Sequence, residues 1–461
     1  MSKKGRTIII ALASIVLLWG AYYGITVHNR NRAAALFDEI PPTPTIGDLV
    51  SSDIVRIEVS GMVLEKQDDF WELVSLNGEA PPDWIVLDQS LIRGATFVLA
   101  TVWAERIVDE TPEDLSVYGL ESPAARTVVT DIHGNSVVYL VGDITPAVTS
   151  YFVKREGNPN IFAVNEFSVR RLKFSLDDIR DRSLFPQLPL HALSRMRVES
   201  AQAQIDISPI TEPVPLHLSS GFSRFGMTSP YSLPRGVDNN ALQTLLSPLN
   251  NRRIEEFVND FPSSLSPYGL DNPARLLLEF GDISIDLLIG NQSGADRYAK
   301  LAGVPGVFTV GGMEPFVHIR PFTLIDRFPL LFDIAWLTRL SISGGDRPLN
   351  AEIHGEGHDM VFYLNGRRAE EMSFRHWFQS VISLRIDAEM PPAFNLEPTA
   401  SGNITIEHHL KDPPGERVSI TLIPFSRDFY ALSQDGTMEF LIARNQILRI
   451  FQAADLVVFE S

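Results

Sequence analysis

The 461-residue chain contains no cysteine. That absence removes disulfides, thiolate zinc sites, iron–sulfur ligation and cysteine nucleophiles together. An excess of positive charge is also missing, because 39 Lys and Arg stand against 57 Asp and Glu, a formal net charge of −18. The first 32 residues hold five of the basic residues and none of the acidic ones, so the remainder carries 34 against 57, a net −23. That balance argues against binding nucleic acid or anionic lipid through bulk charge. Arg347, Arg367 and Arg368 are dispersed, as on a solvated face. A Walker loop and a dinucleotide fingerprint are lacking too. Gly290-Asn291-Gln292-Ser293-Gly294 has the wrong spacing for a nucleophile elbow.

What is present begins at the N-terminus. Lys3, Lys4 and Arg6 precede an uncharged run of 21 residues from Thr7 to Val27, long enough to span a bilayer. A secretory signal has an apolar region of about 7 to 15 residues, so this run reads as an uncleaved signal anchor. Three positive side chains before the span and two after it, Arg30 and Arg32, favour a cytoplasmic N-terminus. The bulk is then expected outside a bacterial inner membrane, in the periplasm. Cleavage after Ala33, Ala34 and Ala35 is the alternative, and it also exports the protein. With 44% hydrophobic residues, an exported portion of this length has enough core to fold without disulfides.

Self-comparison organises the rest. Tyr118-Gly119-Leu120-Glu121-Ser122-Pro123-Ala124 matches Tyr268-Gly269-Leu270-Asp271-Asn272-Pro273-Ala274 at an offset of 150. Neighbouring matches keep the same order, as a repeat with loop insertions would. Leu140 to Asp143 meets Leu288 to Asn291, Tyr151 meets Tyr298, Phe162 to Val164 meets Phe308 to Val310, and Asp181-Arg182 meets Asp326-Arg327. A worn third copy aligns Leu337 to Leu340 with Ile54 to Ile57 and Leu193 to Met196. Arg385-Ile386 aligns with Arg106-Ile107 and Arg253-Ile254, Phe394 to Pro398 replaces the Tyr-Gly-Leu segment, and Tyr430 and Phe440 replace Tyr151 and Phe162.

Each copy starts with alternating strands, as at Val55, Ile57 and Val59. A helix with apolar spacing follows: Leu91, Ala95, Val98, Leu99 and Val102; Leu242, Leu245, Leu246 and Leu249; Phe374, Trp377, Phe378, Val381 and Ile382. Asp88, Asp238 and Ser373 stand where N-caps belong. More strands come after the Tyr-Gly-Leu turn, and a short helix near Asn165 to Phe174 closes the first copy. The expected fold is α+β: an N-terminal transmembrane helix, then three related units of antiparallel strands packed on a helix. The boundaries read as a cytoplasmic tail at 1–6, the anchor at 7–27, a linker at 28–52, and repeats at 53–190, 191–335 and, degenerate, 336–461.

The leading apolar run, Trp71-Glu72-Leu73, Arg106 to Val108, Tyr118-Gly119-Leu120 with Pro123, the strand ending at Gly142, and Tyr151 together resemble the bacterial domain-of-unknown-function 4340 family. The resemblance covers roughly residues 53 to 334. It implies an envelope component that accompanies ABC-type transporters or gliding-motility-like systems, and it transfers no catalytic residue.

Other motifs are weighed by their chemistry. His354 and His358 stand four apart, but the glycines between them disfavour the helix that would bring both onto one metal. His408 and His409 are strand neighbours that face opposite ways. In Asp177 to Arg182 the interleaved arginines balance the carboxylates, which fits a joint between repeats. No catalytic, cofactor or metal residues are assigned, and no cofactor is expected. Tyr118 and Tyr268, repeated at one place, are candidates for a partner or ligand surface, although a turn anchor explains them more simply. The expected function is a non-enzymatic, membrane-anchored accessory or scaffold of an ABC-type transport system. A glycan- or lipid-binding module using Trp71, Trp84, Trp103 and Trp377, or an uncharacterised envelope hydrolase, are the alternatives.

Overall fold

The computed structural model describes residues 22, 25–27, 43–185, 189–211, 223–391, 401–412 and 415–460. Among them no helix is long and apolar enough to cross a membrane. The anchor expected at 7–27 lies largely outside the described residues; residues 22 and 25–27 are helical. The chain divides into two compact units after Asp181.

In the first unit, β1 (Ile54–Val59) buries Ile54, Ile57 and Val59. It turns into β2 (Met62–Gln67) through Ser60-Gly61, both at positive φ as a two-residue hairpin turn requires. After β3 (Phe70–Leu76), helix α1 (Gln89–Ala100) starts where the Asp88 carboxylate accepts from the amides of Ser90 and Leu91. Ile92, Ala95 and Leu99 form its buried stripe. Then come β4 (Arg106–Asp109), β5 (Ala125–Asp131), β6 (Ser136–Ile144), β7 (Ser150–Arg155) and β8 (Ile161–Asn165). The sheet order is β3-β2-β1-β5-β6-β7-β8-β4, antiparallel throughout. Helix α2 (Glu166–Leu172), the short helix expected near Asn165 to Phe174, closes the unit, with the Asn165 side chain accepting from the Ser168 amide as its N-cap.

The second unit builds the same sheet twice. Its first copy has β9 (Leu193–Glu199), β10 (Gln204–Pro209), β11 (Phe225–Ser229), β12 (Arg235–Gly236), helix α3 (Asn239–Leu246), β13 (Ile254–Asn259), β14 (Ala274–Phe280), β15 (Ile283–Ser293), β16 (Asp296–Leu301), β17 (Val307–Gly311) and a short α4 (Glu314–Val317). Its second has β18 (Leu337–Ser343), β19 (Leu349–His354), β20 (Val361–Leu364), β21 (Arg367–Ala369), helix α5 (Glu371–Ile382), β22 (Ala388–Glu389), β23 (Ile404–Leu410), β24 (Arg417–Pro424), β25 (Phe429–Gln434), β26 (Thr437–Ala443) and α6 (Arg444–Asp455). The orders are β12-β11-β10-β9-β14-β15-β16-β17-β13 and β21-β20-β19-β18-β23-β24-β25-β26-β22. The fold is therefore three antiparallel sheets of eight or nine strands with few helices, α+β and mostly β.

Strand register tests the repeat alignment residue by residue. A bulge falls at the same place in all three copies, between Ile54 and Arg56, Leu193 and Arg195, and Leu337 and Arg339, so those matches hold. Two others shift. Tyr151 pairs with Val164 and Arg297 with Val310, so Arg297 is the counterpart of Tyr151, and Phe152 is that of Tyr298. Arg106 pairs with Ala163 and Glu256 with Thr309, so Arg106 matches Glu256, not Arg253. Capping differs once as well: Glu370, not Ser373, caps α5, because its carboxylate already takes the amides of Met372 and Ser373.

Asp326-Arg327 is a main-chain joint within the second unit. The Asp326 amide donates to the Gly236 carbonyl at 2.7 Å, and the Arg327 carbonyl accepts from the Ile386 amide of the next sheet at 2.8 Å. Arg182 accepts from Ile254 in the same way, and Pro44 from Ala104, each at 2.8 Å.

Candidate functional site

The repeated tyrosines sit on 3-10 turns, Ser116–Tyr118 and Ser266–Tyr268. Each turn ends at a glycine, Gly119 or Gly269, in the left-handed region at φ 66. The turns rest on the glycines of the following strands. A Cβ on Gly142 would lie 2.1 Å from the Tyr118 carbonyl oxygen, and one on Gly290 2.2 Å from that of Tyr268. The two most visible repeated motifs are thus one contact, turn on strand, with Leu120 and Leu270 buried beside it.

Each ring is half-buried and meets a second ring edge-on: Tyr118 with Phe152 at 5.0 Å, Tyr268 with Tyr298 at 5.2 Å. The Tyr118 hydroxyl donates to Asp109 Oδ2 at 2.8 Å, and the Asn259 amide donates to the Tyr268 hydroxyl at 3.3 Å. The hydrogen bond to Asp109, and burial after it, hold the Tyr118 phenol above its ordinary pKa. Both hydroxyls therefore tie the turn to the edge strand, β4 or β13, and bring no nucleophile or general base to a free surface. The third copy at Phe394 to Pro398 lies outside the described residues. Register puts Ile423 at the place of Gly142 and Gly290, and Ala431 at that of Phe152 and Tyr298. A Tyr-Gly-Leu turn has no landing site there.

Beside the Tyr268 turn lies a cavity of about 430 Å³ bordered by Gln202, Asn272, Asn291, Arg297 and His318. Arg297 binds Glu314 through two hydrogen bonds, at 2.7 and 3.0 Å, and holds that carboxyl below its usual range. The His318 ring contacts the Gln202 amide at 3.0 Å.

The remaining candidates are scattered. His354 ends β19 with its ring 3.3 Å from Glu352, whereas His358 sits in the turn Gly357–Asp359. His408 is fully buried and His409 half-exposed, on opposite faces of β23. Among the described residues no group of three or more His, Asp and Glu can hold a metal. In the acidic cluster, Arg180 is buried over the Trp84 ring, and its guanidinium lies 3.4 Å from Asp177. Trp71 and Trp377 are core residues, as their strand and helix positions imply, and Trp103 is 52% exposed.

One buried polar network was not legible in sequence. Arg235 on β12 donates to Gln434 at 2.8 Å, pairs with Glu439 at 3.3 Å and lies over the Phe440 ring. Beside it the Tyr231 hydroxyl donates to Glu389 at 2.7 Å, and burial keeps that phenol protonated. These residues are about 200 positions apart and lock the two sheets of the second unit together. No local period marks them.

Three sheets of one topology, the two of the second unit joined through the main chain, and no assembled catalytic constellation among the described residues define a repeat protein of β-rich units. The chain matches the family described as Domain of unknown function (DUF4340) over residues 80–222 and 226–395, well over half its length, and belongs to that family. No curated protein and no solved structure matches it.

Proposed function

We propose that the protein is a non-enzymatic scaffold or accessory component of the cell envelope. In this reading the 21-residue apolar run at Thr7 to Val27 anchors it in the inner membrane, and the sheets lie on the periplasmic side. The partner is an ABC-type transporter or another envelope protein. The observation that carries the reading is the repetition itself: one sheet is made three times, and its repeated polar residues, Tyr118, Tyr268 and Asp326-Arg327, serve turns and joints. Repeated units favour an extended interaction surface over one active site. Affinity capture of the full chain from native membranes tests this. Co-recovery of a transporter ATPase and permease, or of another envelope protein, at near-stoichiometric yield is expected. Recovery of the chain alone would overturn it.

A further inference from the structure

The second repeat departs from the other two at one place. Its main-chain joint, Arg182 to Ile254, is equivalent to Pro44 to Ala104 and Arg327 to Ile386. Counting back two residues aligns Arg252 with Val102 and Leu384, which are 0% and 1% exposed. Where two copies bury an aliphatic side chain, the second holds a guanidinium. Arg252 Nε is buried without a hydrogen-bond partner, and no carboxylate pairs with the group among the described residues.

The surroundings are altered to suit it. The guanidinium lies over Gly312, where a Cβ would come within 2.3 Å of Arg252 Cζ and where φ is 75. Register places Gly312 at the position of Glu166 and Arg444, the first residues of the closing helices. Those helices run 7 and 12 residues, but α4 has 4, and the core helix α3 gives way after 8 residues to the 3-10 segment Ser247–Asn251 where α1 and α5 stay α-helical for 12. Between the short α4 and the core helix lies a cavity of about 400 Å³ lined by Ala241, Leu245, Pro248, Phe316 and Leu324, with Arg252 at its edge. The hydroxyls of Thr244 and Thr323 are turned onto the backbone carbonyls of Asn240 and Arg320, at 2.8 and 2.7 Å. The wall is therefore apolar apart from one cation.

We infer that this cavity binds a single-chain amphipathic carboxylate, a fatty acid, with its head on Arg252 and its chain between α3 and α4. Arg252 is half-buried with its Nε donor unmet, and a carboxylate matches the paired N–H donors of a guanidinium. The volume falls within the range of small-molecule sites. The inference is independent of the scaffold proposal, so the two fail separately.

The test uses the full chain in amphipol and a palmitate bearing a diazirine. Photolabelling is expected to map to residues 241–252 and 312–324 and to be displaced by palmitate but not by dodecyltrimethylammonium. Arg252→Leu, which restores the aliphatic residue of the other repeats, should lower labelling at least tenfold with an unchanged or raised melting temperature. Thr244→Trp, at an exposed rim position, should block labelling with Arg252 intact. Labelling elsewhere, equal displacement by the cationic amphiphile, stronger displacement by lysophosphatidate than by palmitate, or full labelling of both variants would overturn it.

Discussion

The first and second repeats admit polar groups to the same fold on different terms. Thr127 and Tyr139 are paired across β5 and β6 where the second repeat pairs Leu276 with Leu287. Both hydroxyls are satisfied by helix-end carbonyls: Thr127 donates to Leu172, and Tyr139 to Leu99 at 2.8 Å. Burial holds the Tyr139 phenol protonated, and a Cβ on Gly47 would sit 2.2 Å from its oxygen, so glycine is needed there. The second repeat keeps the leucines but puts Arg252 between the 3-10 segment Ser247–Asn251 and the four-residue α4, where its buried Nε meets no acceptor. The third repeat places His408 where the others have Val129 and Leu278, against the edge of Phe332. Helix-end carbonyls satisfy the buried hydroxyls of the first repeat, whereas the buried Arg252 Nε and both His408 ring nitrogens meet no acceptor or donor among the described residues.

The comparison is broken most directly at the helices. Trp377 on α5 is fully buried against Phe374, so Trp377→Ala should destabilise the second unit by about 3 to 5 kcal/mol in denaturant titration. Leu245→Ala on α3 already borders open space and should cost less than about 2 kcal/mol. Equal losses would remove the argument that α3 is under-packed.

Next come the turns. Gly142→Ala and Gly290→Ala push a methyl group into a backbone carbonyl, and each should cost about 1 to 3 kcal/mol, read as a lower denaturation midpoint. Ile423→Ala in the third repeat lacks that clash and should instead leave a small void.

The third effect is pH dependence. Unfolded, the His408 imidazole takes a proton below about pH 6.5; folded, burial holds its pKa down to about 3. Its contribution is complete above about pH 6.5 and is lost as pH falls toward about 3, at about 1.4 kcal/mol per pH unit. His408→Leu should remove that slope from the difference between variant and wild-type stability curves. Smallest is the loss of the tyrosine hydroxyls, since Tyr118→Phe and Tyr268→Phe should each cost about 1 kcal/mol. Unchanged partner capture by the double variant would mark the pair as turn anchors; lost capture with an unchanged melting curve would make them an interaction surface.

Much of this fold is legible in the sequence. Alternating strands, the Asp88 and Asp238 caps and the Tyr-Gly-Leu repeat carry local signals that survive divergence. The matches that slipped, Tyr151 and Arg106, lie next to β-bulges, where one extra residue moves every later partner. Gly142 was visible as a repeated glycine, but its contact with the Tyr118 carbonyl is non-local. Arg235 and Arg252 had no pattern to betray them, because one docks on a distant strand and the other shows its oddity only once Val102 and Leu384 are placed beside it.

Cross-linking of the full chain in intact native membranes, followed by mass spectrometry, tests the central proposal most directly. The account predicts cross-links from at least two of the three sheets to an ABC-type transporter or another envelope protein. Cross-links confined within the chain, at full yield of the protein, would contradict it.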